Sequence, residues 1–510
     1  MLRTVKTENG IVEGLPSANT RITVFKGIPF AAPPVGENRW RAPQPCPDWQ
    51  GVYKAYRYAP ISVQDTPGLG TDVYCKEWHV DPEIPMDEDC LYLNVWTGAK
   101  SADEKLPVLV WFFGGALQWG YPSEMEFDGE QIAKRDVIVV SVNYRLNVFG
   151  FLAHPQILEQ QPEAPANFGH LDQQAGLQWV KRNIAAFGGD PDRITIAGQS
   201  AGGGSVLSQI ACPDNKGLFQ QAVIMSGMIR SPYGKPEIGA PTELEQAMRE
   251  GERFFSCLGV ENLAQARKMD ARTVLCKYNE FVQTHARFGT VMDGRFGIGD
   301  PLAMIASNTC MDVPIMAGNT RDEFPSILEA KDESELRRQA QILFGVDAET
   351  FLAFPQAHDK LGEAGYAPVS GLECSIKEVF ERRRKNGSKT DSYYYRFDAS
   401  IPGPDHPGTF HSVDLWFFFE TLMKCWRPFT GVHYDLARQM CNYLTNFVKN
   451  GNPNGVDVDG KEMTQWEPYT EERPYEITFS TDKIVGKLDR NEYTHFLKGK
   501  IFAEKEADEG

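Results

Sequence analysis

The sequence predicts an α/β fold in which helices cover both faces of a large, mostly parallel sheet. Two observations predict it. Continuous apolar runs recur at residues 107–113, 137–142, 194–197, 222–225 and 313–316, and strands buried on both faces read this way. Helical patterns separate these runs, as crossover connections between parallel strands require.

The elements follow in chain order. Residues 1–14 read as a first hairpin, and the first hundred residues as short strands broken by Pro/Gly turns such as GIPFAAPPVG. Residues 172–186 carry Ala175, Leu177, Val180 and Ile184 on or near one helical face and end at Gly188-Gly189. Residues 201–211 and 242–258 are further helices. The stretch from about 240 to 390 is richer in helix, with longer connections, and is expected to include a cap over the sheet. Without a clear linker or internal repeat, the 510 residues read as one large domain. The charged end AEKEADEG reads as frayed.

Composition excludes several functions. A net charge of −17 argues against nucleic acid and against an anionic membrane surface, since both need clustered Lys and Arg. No apolar stretch reaches the roughly 20 residues of a membrane span. The first residues lack the apolar core of a signal peptide, so a cytoplasmic location is expected, or a secreted one if a signal has been removed. The ten Cys read mostly as reduced thiols. Cys75 and Cys90 bracket a loop that a disulfide could close in an oxidising compartment. With no HExxH and no close His/Cys set, no metal is expected, and no cofactor. GRFGIG at 294–299 lacks the strand–turn–helix context of a nucleotide loop.

The chemistry lies in residues 194–204, ITIAGQSAGGG: an apolar strand, then G-x-S-x-G, then a helix. In this context the pattern is a nucleophile elbow with Ser200 at its tip. Gly198 and Gly202 are needed where a Cβ would clash. The helix start behind Ser200 offers free N–H groups to a developing oxyanion, Ala201 first. A second set of donors follows the strand 107–113, at Gly115 and Ala116. A serine hydroxyl needs a basic His oriented by a carboxylate. On chemistry alone His411, His406 and His433 stay open, as do Glu323 and Asp322.

The segments GIPFAAPPVGENRWRAPQP, DEDCLYLNVWTG, VLVWFFGGA, VNYRLNVFGFL, the stretch 169–203 and NFVKNGNPN follow one another along the chain. In these segments and their order the chain resembles the type-B carboxylesterases and cholinesterase-like proteins along nearly its whole length. The resemblance implies the α/β-hydrolase fold with a mixed central sheet, no cofactor, and a Ser–Glu–His triad of Ser200, Glu323 and His411. It also implies accessory places beside the His for Ser226 and Asp414. Gln199 stands where cholinesterases usually have Glu, which weakens the case for a cationic choline substrate. Ala116 and Leu117 replace a common Gly and Phe.

The activity expected is hydrolysis of uncharged small to medium esters, with a lipase or sterol-ester hydrolase as the alternative and a non-catalytic binding relative behind it. The partner is a small-molecule ester; monomer and homodimer are both open. Trp111, Trp119, Trp416, Phe417, Phe418 and Phe419 are candidates to line an apolar pocket, against the alternative that each is core.

Overall fold

The computed structural model describes residues 1–232, 239–323, 330–358, 361, 371–458 and 460–502. Its centre is an eleven-stranded sheet. From one edge the strands run Leu15–Pro16, Thr23–Pro29, Tyr92–Thr97, Ile138–Val142, Leu106–Phe112, Gly189–Gln199, Gln221–Met225, Ile315–Thr320, Ser392–Phe397, Tyr475–Phe479 and Ile484–Leu488. Pairing is parallel from Ile138–Val142 through Tyr475–Phe479 and antiparallel at both flanks. The sheet is therefore mixed, with a parallel middle.

The sequence alternation explains why the sheet is central. In Leu106–Phe112 and the residue after it, Leu109, Trp111 and Phe113 face one apolar layer. Val108, Val110 and Phe112 face the other. Successive side chains of a strand point to opposite faces, so a run apolar at every position needs cover on both sides. Helices Phe168–Asn183 and Ala201–Ala211 supply Leu177, Val180, Val206 and Ile210 to one layer. Helix Gly431–Asn450 supplies Leu436, Met440, Leu444 and Phe447 to the other.

Several boundaries differ from the sequence reading. The run at 313–316 is a strand only from Ile315 to Thr320. Pro314 has no N–H to give a ladder, while the polar Asn319 and Thr320 are buried within the strand. The region 240–390 holds helices Leu244–Leu258, Ala271–Phe281, Glu333–Phe344 and Gly371–Lys385 together with this strand of the central sheet. Within the first hundred residues, the turn region contains a short helix, Val73–Glu77, capped by Asp72. Residues 4–7 and 10–13 form the expected hairpin. The charged end beyond residue 502 lies outside the described residues.

Cys75 and Cys90 are both free thiols. Cys75 hydrogen-bonds Asp72 at the helix start, while Cys90 is buried beside Ser62. Burial pushes the Cys90 thiol well up, so it is inert as a nucleophile.

Candidate active site

Strands Leu106–Phe112, Gly189–Gln199, Gln221–Met225 and Ile315–Thr320 all run parallel, and the segments after their C-terminal ends converge. This end of an open α/β sheet is where ligands bind. Ser200 immediately follows the second of these strands and precedes helix Ala201–Ala211. Its φ of 56° and ψ of −125° lie outside the regions that L-residues prefer. Two bonds hold the tip: Ser200 N–H to Met225 O at 2.8 Å and Gly204 N–H to Ser200 O at 2.9 Å. Glycine is obligatory around it. A Cβ on Gly198 would stand 2.3 Å from Gly202 O, and one on Gly202 would stand 2.1 Å from Phe112 O.

The loop after Phe113 lies against this turn. A Cβ on Gly114 would approach Ser200 Cβ to 3.2 Å. Gly115, Ala116 and Leu117 all take positive φ, of 105°, 57° and 61°. For Ala116 and Leu117 this left-handed backbone carries strain, and the surroundings impose it. The Gln64 side-chain amide pairs both backbone groups of Gly120, at 2.8 and 2.9 Å. Gln118 is held by the Tyr278 hydroxyl at 2.8 Å and donates to Phe288 O at 2.9 Å. Asn147 N–H donates to Leu117 O at 2.7 Å. The loop is thus locked rather than loose.

Ser200, Ala201, Ala116 and Leu117 share the wall of a cavity of about 470 Å³. Gly115 stands next to that wall in sequence without lining it.

His411 and Glu323 meet. His411 Nδ1 donates to Glu323 Oε2 at 2.5 Å, and both side chains are almost wholly buried. Glu323 Oε1 accepts from Ser226 Oγ at 2.6 Å and from Thr320 N–H at 3.1 Å. Burial acts to raise the Glu323 carboxyl, but His411, Ser226 and Thr320 outweigh it and hold the group below its ordinary range. A carboxylate that stays charged favours the tautomer with the proton on Nδ1 and none on Nε2.

The rival residues have other employment. Asp322 is exposed; it pairs with Arg321 at 2.8 Å and accepts from Thr409 N–H at 2.7 Å. That tie, with Asp322 N–H to Thr409 O at 3.0 Å, joins the two loops that carry Glu323 and His411. His406 is exposed. His433 caps helix Gly431–Asn450 through Thr430 and bonds Ser400 O at 2.9 Å.

Asp414 is fully buried. Tyr395 hydroxyl donates to its Oδ2 at 2.7 Å, and Oδ1 has no hydrogen-bond partner among the described residues. Burial raises its carboxyl to about 6, opposed by the Tyr395 hydrogen bond and reinforced by the nearby Glu323 charge.

Sequence reasoning missed two features. Gln199 Nε2 lies 3.1 Å from His411 Nε2 and donates to it, where only the loss of a charge was read from this residue. The aromatic candidates also fall differently. Trp111, Trp416, Phe417, Phe418 and Phe419 are core. Only Trp119 reaches a cleft, one of about 220 Å³ that shares Gln118 and Arg287 with the cavity at Ser200. A single sequence carries no signal that separates these six rings.

The carboxylates of Glu373, Glu476 and Asp489 converge elsewhere. The Lys377 ammonium already sits among them, at 2.7, 3.1 and 2.6 Å. The turn of GRFGIG is tied by Asp293, which accepts from Arg295 and Gly297 N–H groups at 2.9 Å. Among the described residues, no helix is long and apolar enough to cross a membrane.

The model of the carboxylesterase family matches residues 2–354 and 370–497. The chain belongs to the carboxylesterase family. It is therefore a carboxylic ester hydrolase of the α/β-hydrolase fold. It is 30% identical to a cholinesterase of Mus musculus, over 95% of this chain and 84% of that protein. It is 32% identical to a bile salt-activated lipase of Homo sapiens, over 98% of this chain and 69% of that protein. Among solved structures, a PNB esterase superposes with a TM-score of 0.79 at 28% identity, covering 99% of this chain and 100% of that chain. A Geobacillus stearothermophilus carboxylesterase superposes with a TM-score of 0.74 at 28% identity, covering 97% and 100%.

Proposed function

We propose that this carboxylesterase works through an acyl-enzyme on Ser200, with His411 as base and Glu323 as the acid that orients it. The observation that carries the assignment is the buried 2.5 Å contact from His411 Nδ1 to Glu323, on loops adjoining the elbow that presents Ser200 to the cavity.

Each step follows from these groups. His411 Nε2 takes the Ser200 proton as Oγ attacks the ester carbonyl. The lone pair on Nε2 that Gln199 now engages passes to the Ser200 hydroxyl for this step. The N–H groups of Ala116 and Ala201, with Gly115 beside them, hold the oxyanion. A locked loop suits this role, because preorganised donors need no rearrangement as charge develops. His411 then protonates the leaving alcohol. Water, deprotonated by the same imidazole, releases the acid and restores Ser200. Glu323 stabilises the imidazolium, and Ser226 and Asp414 act on this pair from behind as positioning residues.

The substrates are small to medium esters. The cap within about 240–390 contributes to the cavity wall at Ser200, where residues 240–242, 286–290 and 300–302 line it.

The test is hydrolysis of 4-nitrophenyl esters from acetate to decanoate by the wild type and by Ser200→Ala. Turnover is expected for the shorter chains and only background for the variant. Equal rates for the two proteins would overturn the assignment of Ser200. An optimum at decanoate with activation at a lipid interface would favour a lipase.

A further inference from the structure

The cavity at Ser200 has a side. His411 must protonate the departing alcohol, so the alcohol half of the ester lies toward His411. His411 is absent from the cavity wall, whereas Ala201, Gly227, Arg230 and residues 286–290 form it. This cavity is therefore where the acyl half sits.

Its lining is mostly apolar, with Ser205, Ser208, Thr290 and His170 among the polar residues set into it. The His170 imidazole bonds Gln173 and Thr290, and burial lowers it to about 4, so it is uncharged at neutral pH. Two cations also line the wall, and they differ. Arg230 is ion-paired with Asp300, so each cancels the other. Arg287 has no carboxylate within ion-pair distance among the described residues. Arg287 is exposed, and its guanidinium carbon lies 4.6 Å from the centre of the Trp119 ring. Asp65, exposed in the adjoining cleft, accepts from the neutral Trp119 Nε1 at 3.1 Å and Asn279 at 2.6 Å, neither of which cancels its charge, but it lies beyond ion-pair distance of Arg287. A guanidinium with free donors matches a carboxylate, which it can bind with two parallel hydrogen bonds. The overall charge of −17 does not oppose this at close range, since exposed charges beyond about 8 Å are largely screened at physiological ionic strength.

We propose that Arg287 binds an anionic group at the far end of the acyl chain, making monoesters of dicarboxylic acids the substrates this site favours. The inference rests on the assignment of Ser200 as nucleophile. It departs from the uncharged esters that the sequence suggested.

The experiment compares two acyl donors of nearly equal length, the 4-nitrophenyl monoester of glutaric acid and its methyl-capped, uncharged counterpart. Wild type, Arg287→Gln and Arg287→Lys are assayed, and the Ser200→Ala rate is subtracted as background. The ratio of kcat/KM for the anionic over the capped ester is expected to exceed one in the wild type. It should fall about tenfold in Arg287→Gln and recover in part in Arg287→Lys. A ratio that is the same in wild type and Arg287→Gln would overturn the inference and leave the esterase standing. Failure of the wild type to hydrolyse either ester above the Ser200→Ala background would remove both.

Discussion

Asp414→Asn turns a buried carboxyl into a measurable pH dependence of stability. Asp414 has no exposed surface, one hydrogen bond from Tyr395, and an Oδ1 with no hydrogen-bond partner among the described residues. Its carboxyl is raised from 3.8 to about 6, mainly by burial. The interval, at about 1.4 kcal/mol for each pH unit, amounts to about 3 kcal/mol. The sign follows from proton binding. Below pH 3.8 the group is protonated in both the folded and unfolded chain, and its favourable contribution is whole. Between 3.8 and about 6 the unfolded chain ionises while the folded one keeps its proton, so stability is lost as pH rises. Above about 6 the loss is complete. Asparagine keeps the shape and never ionises. The melting temperature of Asp414→Asn minus that of the wild type should therefore climb between pH 4 and pH 7. A difference that stays level over this range would refute the reasoning.

Two further outcomes follow from the geometry. Glu323→Gln should lower kcat for 4-nitrophenyl butyrate by roughly four orders of magnitude with little change in KM, because the amide no longer selects the tautomer with no proton on Nε2; a loss under tenfold would contradict the assignment of the acid. Gly202→Ala should lower the melting temperature, since its Cβ would stand 2.1 Å from Phe112 O, whereas Gly204→Ala meets nothing within 4 Å and should hold or raise it by the helix preference for Ala; melting curves in the reverse order would contradict the account of the elbow.

Much of this architecture was legible from particular residues. The unbroken run at 107–113 announced a strand covered on both faces, and the alternation of Leu109 and Trp111 with Val108 and Val110 was realised as two separate apolar layers. The elbow at Gly198, Ser200 and Gly202 was readable because its turn is local and steric. The meeting of Glu323 and His411 was not readable from local pattern, because their loops, tied at Asp322 and Thr409, are distant in sequence. Residue chemistry left Asp322, His406 and His433 open, and only the resemblance to a family chose among them. The roles of Arg287 and Gln199 depend on contacts across long stretches of sequence, which no periodicity carries. The aromatic run 416–419 was equally ambiguous: its rings pack into the core, and a core ring and a pocket ring have the same sequence signature.

The central claim is a covalent intermediate on Ser200. Acid quenching during turnover of a 4-nitrophenyl ester, followed by digestion and peptide mass spectrometry, reads it directly. The account predicts an acyl adduct on the peptide that contains Ser200, absent in Ser200→Ala. An adduct on another residue, or steady turnover with unmodified Ser200 throughout, would contradict it.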